Sequence, residues 1–260
     1  MPEQNLRVTL IQSKLLWENI DANLSMFEEK ISSIENTDVI LLPEMFSTGF
    51  SMKPERFAEE MNGKTVPWMR AMAEKRNAAI CGSVMIKADG KFFNRLIWFQ
   101  PEGNFFTFNK RHLFRMGEEN NHYTAGEKKL IVDYKGWKIC PLVCYDLRFP
   151  VWSRNTENYD LLLYVANWPQ RRNHAWKSLL VARAIENQSY VIGLNRVGDD
   201  GNKIQHSGDS SVVNAKGEIL FQEADNEIIH TTELSKSELL DYRKEFPVLM
   251  DRDNFDLKIS

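Results

Sequence analysis

Leu142-Val143-Cys144-Tyr145-Asp146-Leu147-Arg148-Phe149-Pro150, entered by an apolar run from Ile139, is the stretch around which the rest of the chain is organised. Its apolar run Ile139–Val143 predicts a buried strand, the run stops at a thiol, and Phe149-Pro150 predicts the entrance to a helix. A cysteine at a strand-to-helix turn is well placed to attack. The backbone N–H groups after it point toward whatever the sulfur meets, and a helix N-terminus favours thiolate over thiol. The plain alternative is packing, because free cysteines are among the most buried residue types.

Outward from this stretch the patterns alternate. Leu130–Tyr134, Lys135-Gly136 and Trp137–Val143 predict a hairpin; beyond it follow a helix over Val151–Glu157, a fully apolar strand Leu161–Ala166 and a loop at Asn167-Trp168-Pro169. A helix over Asn173–Asn187, a strand Tyr190–Val197, a turn Gly198–Asn202 and a hairpin of Ser211–Asn214 with Glu218–Gln222 come next. Ser235 and Glu238 form a capping box opening a helix with Leu239, Tyr242 and Phe246 on its apolar side, and the residues after Pro247 read as an arm. Upstream, strand Leu6–Gln12 precedes an amphipathic helix over Asn19–Ile34, and strand Val39–Leu42 ends in Pro43-Glu44. Met45–Gly63 is irregular, Val66–Arg76 is a helix, and Ala78–Ile86 with Phe92–Phe99 is a hairpin closed by Asp89-Gly90. Phe105–Asn109 is a strand, and Lys110 opens a polar loop to Lys129. Strands alternating with helices in both halves, mixed with hairpins, predict a layered α/β domain spanning residues 1–260. Two face-to-face sheets with helices outside fit both signals, and so does a doubly wound sheet.

Composition narrows the function. At 260 residues with a formal charge of −3, the chain lacks the basic excess expected of a nucleic-acid or acidic-membrane binder. The acidic, short apolar start Met1–Ile11 is not a signal peptide, and no run of about 18 apolar residues occurs, so a soluble cytoplasmic protein acting on a small molecule is expected. The cysteines Cys81, Cys140 and Cys144 cannot all pair, which argues against a disulfide framework. The histidines His112, His122, His174, His206 and His230 show no metal-ligand spacing, and no cofactor or metal is called for.

Glu44, Lys110 and Cys144 each follow an apolar run, and strands laid side by side bring such ends to one edge, where α/β sheets bind ligands. Singly, Glu44 reads as a turn residue and Lys110 as a surface lysine. Together they meet a chemical need. A thiol requires a base, a carboxylate among apolar side chains makes a useful one, and an ammonium stabilises a developing oxyanion.

On Leu42-Pro43-Glu44-Met45-Phe46, Lys110-Arg111-His112-Leu113-Phe114 and Cys144-Tyr145-Asp146-Leu147-Arg148-Phe149-Pro150, the chain resembles the nitrilase superfamily of carbon-nitrogen hydrolases, whose signature is a Glu-Lys-Cys triad in this order. Likeness extends through Tyr164–Pro169 and Ala182–Gln188 and is greatest to omega-amidases of the YafV type, which hydrolyse the terminal amides of 2-oxoglutaramate and 2-oxosuccinamate. The resemblance implies a four-layer α-β-β-α sandwich and a homodimer formed through helices, or a higher homo-oligomer. It also implies a second, positioning glutamate, best matched by Glu119 with Glu118 as the alternative. On this resemblance Glu44 is the base, Cys144 the nucleophile, and Lys110 with the Tyr145 N–H the oxyanion holder. For the far carboxylate of such a substrate, Arg148, Arg171 and Arg172 are the candidate cations, His112 and Tyr145 polar helpers, Phe46 and Trp168 pocket walls. Arg148 is expected rather to pair with Asp146 or Asp160, and Trp168 reads equally well as core. A nitrilase, an N-carbamoyl or aliphatic amidase, or a non-catalytic binding protein on the same scaffold are the alternatives.

Overall fold

The computed structural model describes residues 5–258. The strands are β1 (Leu6–Gln12), β2 (Val39–Leu41), β3 (Ala79–Ala88), β4 (Lys91–Phe99), β5 (Phe105–Asn109), β6 (Val132–Tyr134), β7 (Trp137–Val143), β8 (Leu161–Ala166), β9 (Tyr190–Asn195), β10 (Val197–Asp199), β11 (Gln205–Val213), β12 (Ile219–Ala224) and β13 (Ile228–Leu234). They form two sheets. One has six strands in the order β13-β1-β2-β3-β4-β5; the other has seven, β10-β11-β9-β8-β7-β6 with β12 on β11.

Side-chain alternation decides what each strand covers. Val39 and Leu41 of β2 face the second sheet, joining Leu6, Val8 and Leu10 of β1 and Ile139 and Val143 of β7. Ile40 and Leu42 point the other way, toward Leu24, Phe27 and Ile31 of the helix Ile20–Ser32 and Met69 and Met72 of the helix Thr65–Arg76. Beyond the second sheet, Trp176, Leu180 and Ala184 of the helix Asn173–Asn187 and Leu239 of the helix Lys236–Glu245 close the outer face. The result is the four-layer α-β-β-α sandwich that the resemblance implied. Each fully buried Leu, Ile or Phe in these layers contributes about 1.5–3 kcal/mol relative to exposure.

Local signals placed most elements well. Asn19 caps the first helix by accepting from Ala22 N at 3.1 Å, and Ser235 accepts from Glu238 N at 3.3 Å. Asp89 and Gly90 both take positive φ, as a two-residue hairpin turn requires.

Four expectations need correction. The helix foreseen over Val151–Glu157 is one turn, Pro150–Ser153, because Arg154 turns extended with ψ 134°. β11 begins at Gln205 rather than Ser211: Ser207, Asp209 and Ser210 are polar yet at most 4 % exposed, so no apolar pattern announces them. β13 carries His230, Thr231 and Thr232 on an edge antiparallel to β1 and was not foreseen at all. Phe246 ends its helix 58 % exposed instead of facing the core. After it, Val248–Asp251 forms a short 3-10 turn and the remaining described residues lack regular structure.

Candidate active site

β1, β2 and β3 run parallel, and β5 shares their direction through two antiparallel steps, so β2 and β5 end at the same edge of the first sheet. β7, β8 and β9 are parallel in the second. Glu44 follows β2, Lys110 follows β5, Cys144 follows β7 and Asn167 follows β8, so four polar residues enter one space between the sheets. Lys110 is held by its N–H to Asn94 O and by Gly126 N–H to its own carbonyl, both 2.9 Å. Only glycine fits at 126, since a Cβ there would sit 2.0 Å from Asn109 O. Cys144 has φ +44°, a left-handed conformation that lifts its side chain off the strand.

Lys110 Nζ lies 2.8 Å from Glu44 Oε1 and 3.1 and 2.9 Å from the two oxygens of Glu119. Asn94 Nδ2 donates to Glu44 Oε1 at 2.8 Å and to Glu119 Oε1 at 3.1 Å, tying the carboxylates together. Asn167 N–H donates to Glu44 Oε2 at 2.8 Å, and Phe114 N–H to Glu119 Oε2 at 2.6 Å. Glu44, Asn94, Lys110 and Glu119 are all at most 1 % exposed, and Cys144 is 8 % exposed. The geometry thus brings together the triad and the second glutamate. Glu118 is exposed, at φ +59°, and makes none of these contacts.

Burial dominates the electrostatics. It alone would lower the Lys110 pKa, but the charges of Glu119 and then Glu44 outweigh it, and the ammonium is held well above its ordinary range. Burial raises the Glu119 pKa, against the pull of Lys110. Burial also raises the Cys144 pKa well above the ordinary thiol value; Glu44 pushes the same way, as a charge and as an acceptor, while Lys110 and the Asn167 N–H oppose it. The resting sulfur therefore carries its proton. This corrects the expectation of a thiolate favoured by a helix terminus: the element after Cys144 is a five-residue 3-10 turn, too short a dipole to offset desolvation.

A cavity of about 130 Å³ opens on Glu44, Lys110 and Cys144. Phe50, Met52, Phe114 and Trp168 wall it, and Tyr145, Arg148, Arg171 and Arg172 also line it. Trp168 is also core, tilted against Trp176 at 5.4 Å. Arg148 lies over the Trp168 ring at 4.9 Å and pairs with neither expected aspartate. Asp146 is occupied by His112 N and Nδ1 and by Val143 N, and Asp160 by Lys236 and Arg243. Arg172 lies over Phe114 at 4.9 Å; burial and then the neighbouring charge of Arg171 lower its pKa. Two expected contacts fall elsewhere. Phe46 packs between Phe27 and Trp68 under the outer helices, because the left-handed turn at Met45 sends its side chain away from the cavity. His112 sits behind Cys144, stacked on Phe149 at 3.7 Å with Nδ1 2.8 Å from Asp146, where it braces the turn that carries Cys144.

Sequence reasoning missed Asn94, Phe50, Met52 and Asn167. The last was within reach, since it follows an apolar strand just as Glu44, Lys110 and Cys144 do. Among the described residues no cluster of His, Cys, Asp and Glu is arranged to hold a metal ion.

Residues 7–244 match the carbon-nitrogen hydrolase family. Over 253 residues the chain is 48 % identical to the omega-amidase YafV of Escherichia coli (strain K12), covering 97 % of this chain and 98 % of that one. It is 32 % identical to a 2-oxoglutaramate amidase of Bacillus subtilis (strain 168), over 90 % of this chain and 91 % of the relative. A crystal structure of a CN-hydrolase superfamily protein from Xanthomonas campestris, with an arsenic adduct in its active site, superposes with a TM-score of 0.96 at 42 % identity, covering 98 % of this chain and 100 % of that one.

Proposed function

Since this chain belongs to the carbon-nitrogen hydrolase family of the nitrilase superfamily, we propose that it hydrolyses the terminal amide of small dicarboxylic monoamides such as 2-oxoglutaramate and 2-oxosuccinamate, releasing ammonia. One observation carries this reading: a thiol, a carboxylate and an ammonium share a cavity whose mouth holds three guanidinium groups, Arg148, Arg171 and Arg172, none in an ion pair among the described residues. The inner groups suit attack on an amide; the outer ones suit an anionic tail.

Glu44 takes the proton of Cys144 as sulfur attacks the amide carbon. In the resting site Lys110 points its three N–H bonds at Glu44 Oε1 and the two Glu119 oxygens, leaving none spare. Protonation of Glu44 weakens its hold on the ammonium, so one N–H turns to the oxyanion at the moment it forms, with the Tyr145 N–H as second donor. Glu44 then protonates the departing nitrogen. It next draws a proton from water, which attacks the thioester carbon; the C–S bond then breaks, the acid leaves, and Glu44 returns the proton to the Cys144 sulfur. Glu119 keeps Lys110 charged and placed.

Ammonia release from 2-oxoglutaramate, compared with a simple nitrile, an N-carbamoyl amino acid and an aliphatic amide, tests the substrate class. The oxo-acid amide should be turned over fastest; preference for any other member overturns the assignment. We further infer a cytoplasmic homodimer, supported by apolar side chains left at the surface on Val151, Ile185, Leu220 and Leu257. Sedimentation should give twice the monomer mass, and a monomer at micromolar concentration contradicts it.

A further inference from the structure

We propose that Asn167 Oδ1 is the acceptor that holds the nitrogen of the scissile amide and guides it out as ammonia, making Asn167 a catalytic residue selective for leaving groups that carry N–H. The proposal rests on the amidase reading above. Asn167 has two jobs already visible: its backbone N–H donates to Glu44 Oε2 at 2.8 Å, and its Nδ2 donates to the Glu44 carbonyl. The second bond fixes the amide's orientation, because a carbonyl accepts from NH₂ and not from another oxygen. Oδ1 is therefore the free end. Oδ1 is buried with no hydrogen-bond partner among the described residues, and Asn167, 6 % exposed, is a residue of the wall of the cavity that holds Cys144 and Glu44.

A buried acceptor left unpaired is unfavourable unless something fills it, commonly by about 1–3 kcal/mol. Its neighbours identify what fits. Glu44, Lys110 and the Tyr145 N–H deal with the proton and the oxyanion, and Arg148, Arg171 and Arg172 are cations that suit the far carboxylate. What remains of the substrate is the NH₂ group, whose two N–H bonds need acceptors. As the tetrahedral adduct collapses, the C–N bond breaks, its electron pair stays on nitrogen and picks up the proton held by Glu44, and the C=O of the thioester re-forms. Oδ1 accepts an N–H throughout, keeping the lone pair of nitrogen turned to Glu44. Asn94 Oδ1 is also unpaired, but Asn94 does not line the cavity.

The test compares two leaving groups with one acyl part: 2-oxoglutaramate and the matching monomethyl ester, whose leaving oxygen bears no hydrogen. Asn167→Ala should lower kcat/KM for the amide about 10–100-fold while changing the ester by less than about 3-fold. Trapping of the acyl-enzyme by hydroxylamine, whose N–H enters through the same position, should fall relative to hydrolysis. Equal losses on amide and ester would mean that Asn167 acts only by placing Glu44, and would overturn the proposal. If Asn167→Ala does not fold, Asn167→Ser makes the same comparison with a side chain too short to reach. A native enzyme that turns over the ester but not the amide defeats the amidase reading itself, and this proposal with it.

Discussion

The inner and outer halves of the cavity treat charge in opposite ways. Inside, Glu44, Lys110 and Glu119 are at most 1 % exposed and spend their hydrogen bonds on one another, on Asn94 and on backbone N–H groups. At the mouth, Arg148, Arg171 and Arg172 rest on aromatic faces or on nothing, without a carboxylate among the described residues. Groups that do chemistry must be positioned before substrate arrives, so they are saturated. Groups that recognise an ion must be free when it arrives, so they are not.

Cutting into the inner half should have the largest effects. Cys144→Ala should reduce ammonia release by about 10⁴-fold or more with an unchanged circular dichroism spectrum, since the nucleophile has no substitute; residual turnover near the native rate would place the chemistry elsewhere. Lys110→Met leaves two buried carboxylates facing each other without a cation and should destabilise the fold by about 3–5 kcal/mol in urea. Adding Glu119→Gln to it should restore part of that loss. If Lys110→Met melts like the native protein, the inner cluster is not the coupled unit described here.

His206 lies between the two regimes, at the cavity wall but 4 % exposed, and burial followed by the charge of Arg196 lowers its pKa to about 4. A group depressed in the folded state binds its proton first when unfolded. Stability should therefore be constant above pH about 6.5 and fall by up to about 3 kcal/mol as the pH drops to about 4. In His206→Gln that part of the slope should vanish; a slope identical to the native one would assign it to other groups. The outer half should show the smallest effects. Arg171→Ala and Arg172→Ala, taken singly, should each raise KM for the oxo-acid amide about 10-fold with kcat and urea midpoint nearly unchanged. A drop in kcat instead would join these arginines to the inner machinery.

This division also explains what the sequence disclosed. Residues set by covalent order at strand ends were readable: Glu44, Lys110 and Cys144 follow apolar runs, and the layered architecture follows from how those runs alternate with amphipathic helices. Asn94 was invisible because it sits mid-strand in β4 and reveals its role only through carboxylates 50 and 25 positions away. β11 hid for a related reason, since Ser207, Asp209 and Ser210 are buried by bonding to Gln12, Asn195 and one another rather than by being apolar. Phe46 was misplaced by one backbone angle at Met45, which no residue pattern announces. The ionisation of Cys144 was misjudged because a turn's dipole is local, whereas desolvation depends on everything packed around the sulfur.

Mass spectrometry of the enzyme quenched within milliseconds of mixing with 2-oxoglutaramate bears most closely on the covalent route. The peptide containing Cys144 should carry the acyl group of the amide in step with a burst of ammonia, with Cys81 and Cys140 unmodified. Ammonia released at the full rate with no acyl group on Cys144 at any time would contradict it.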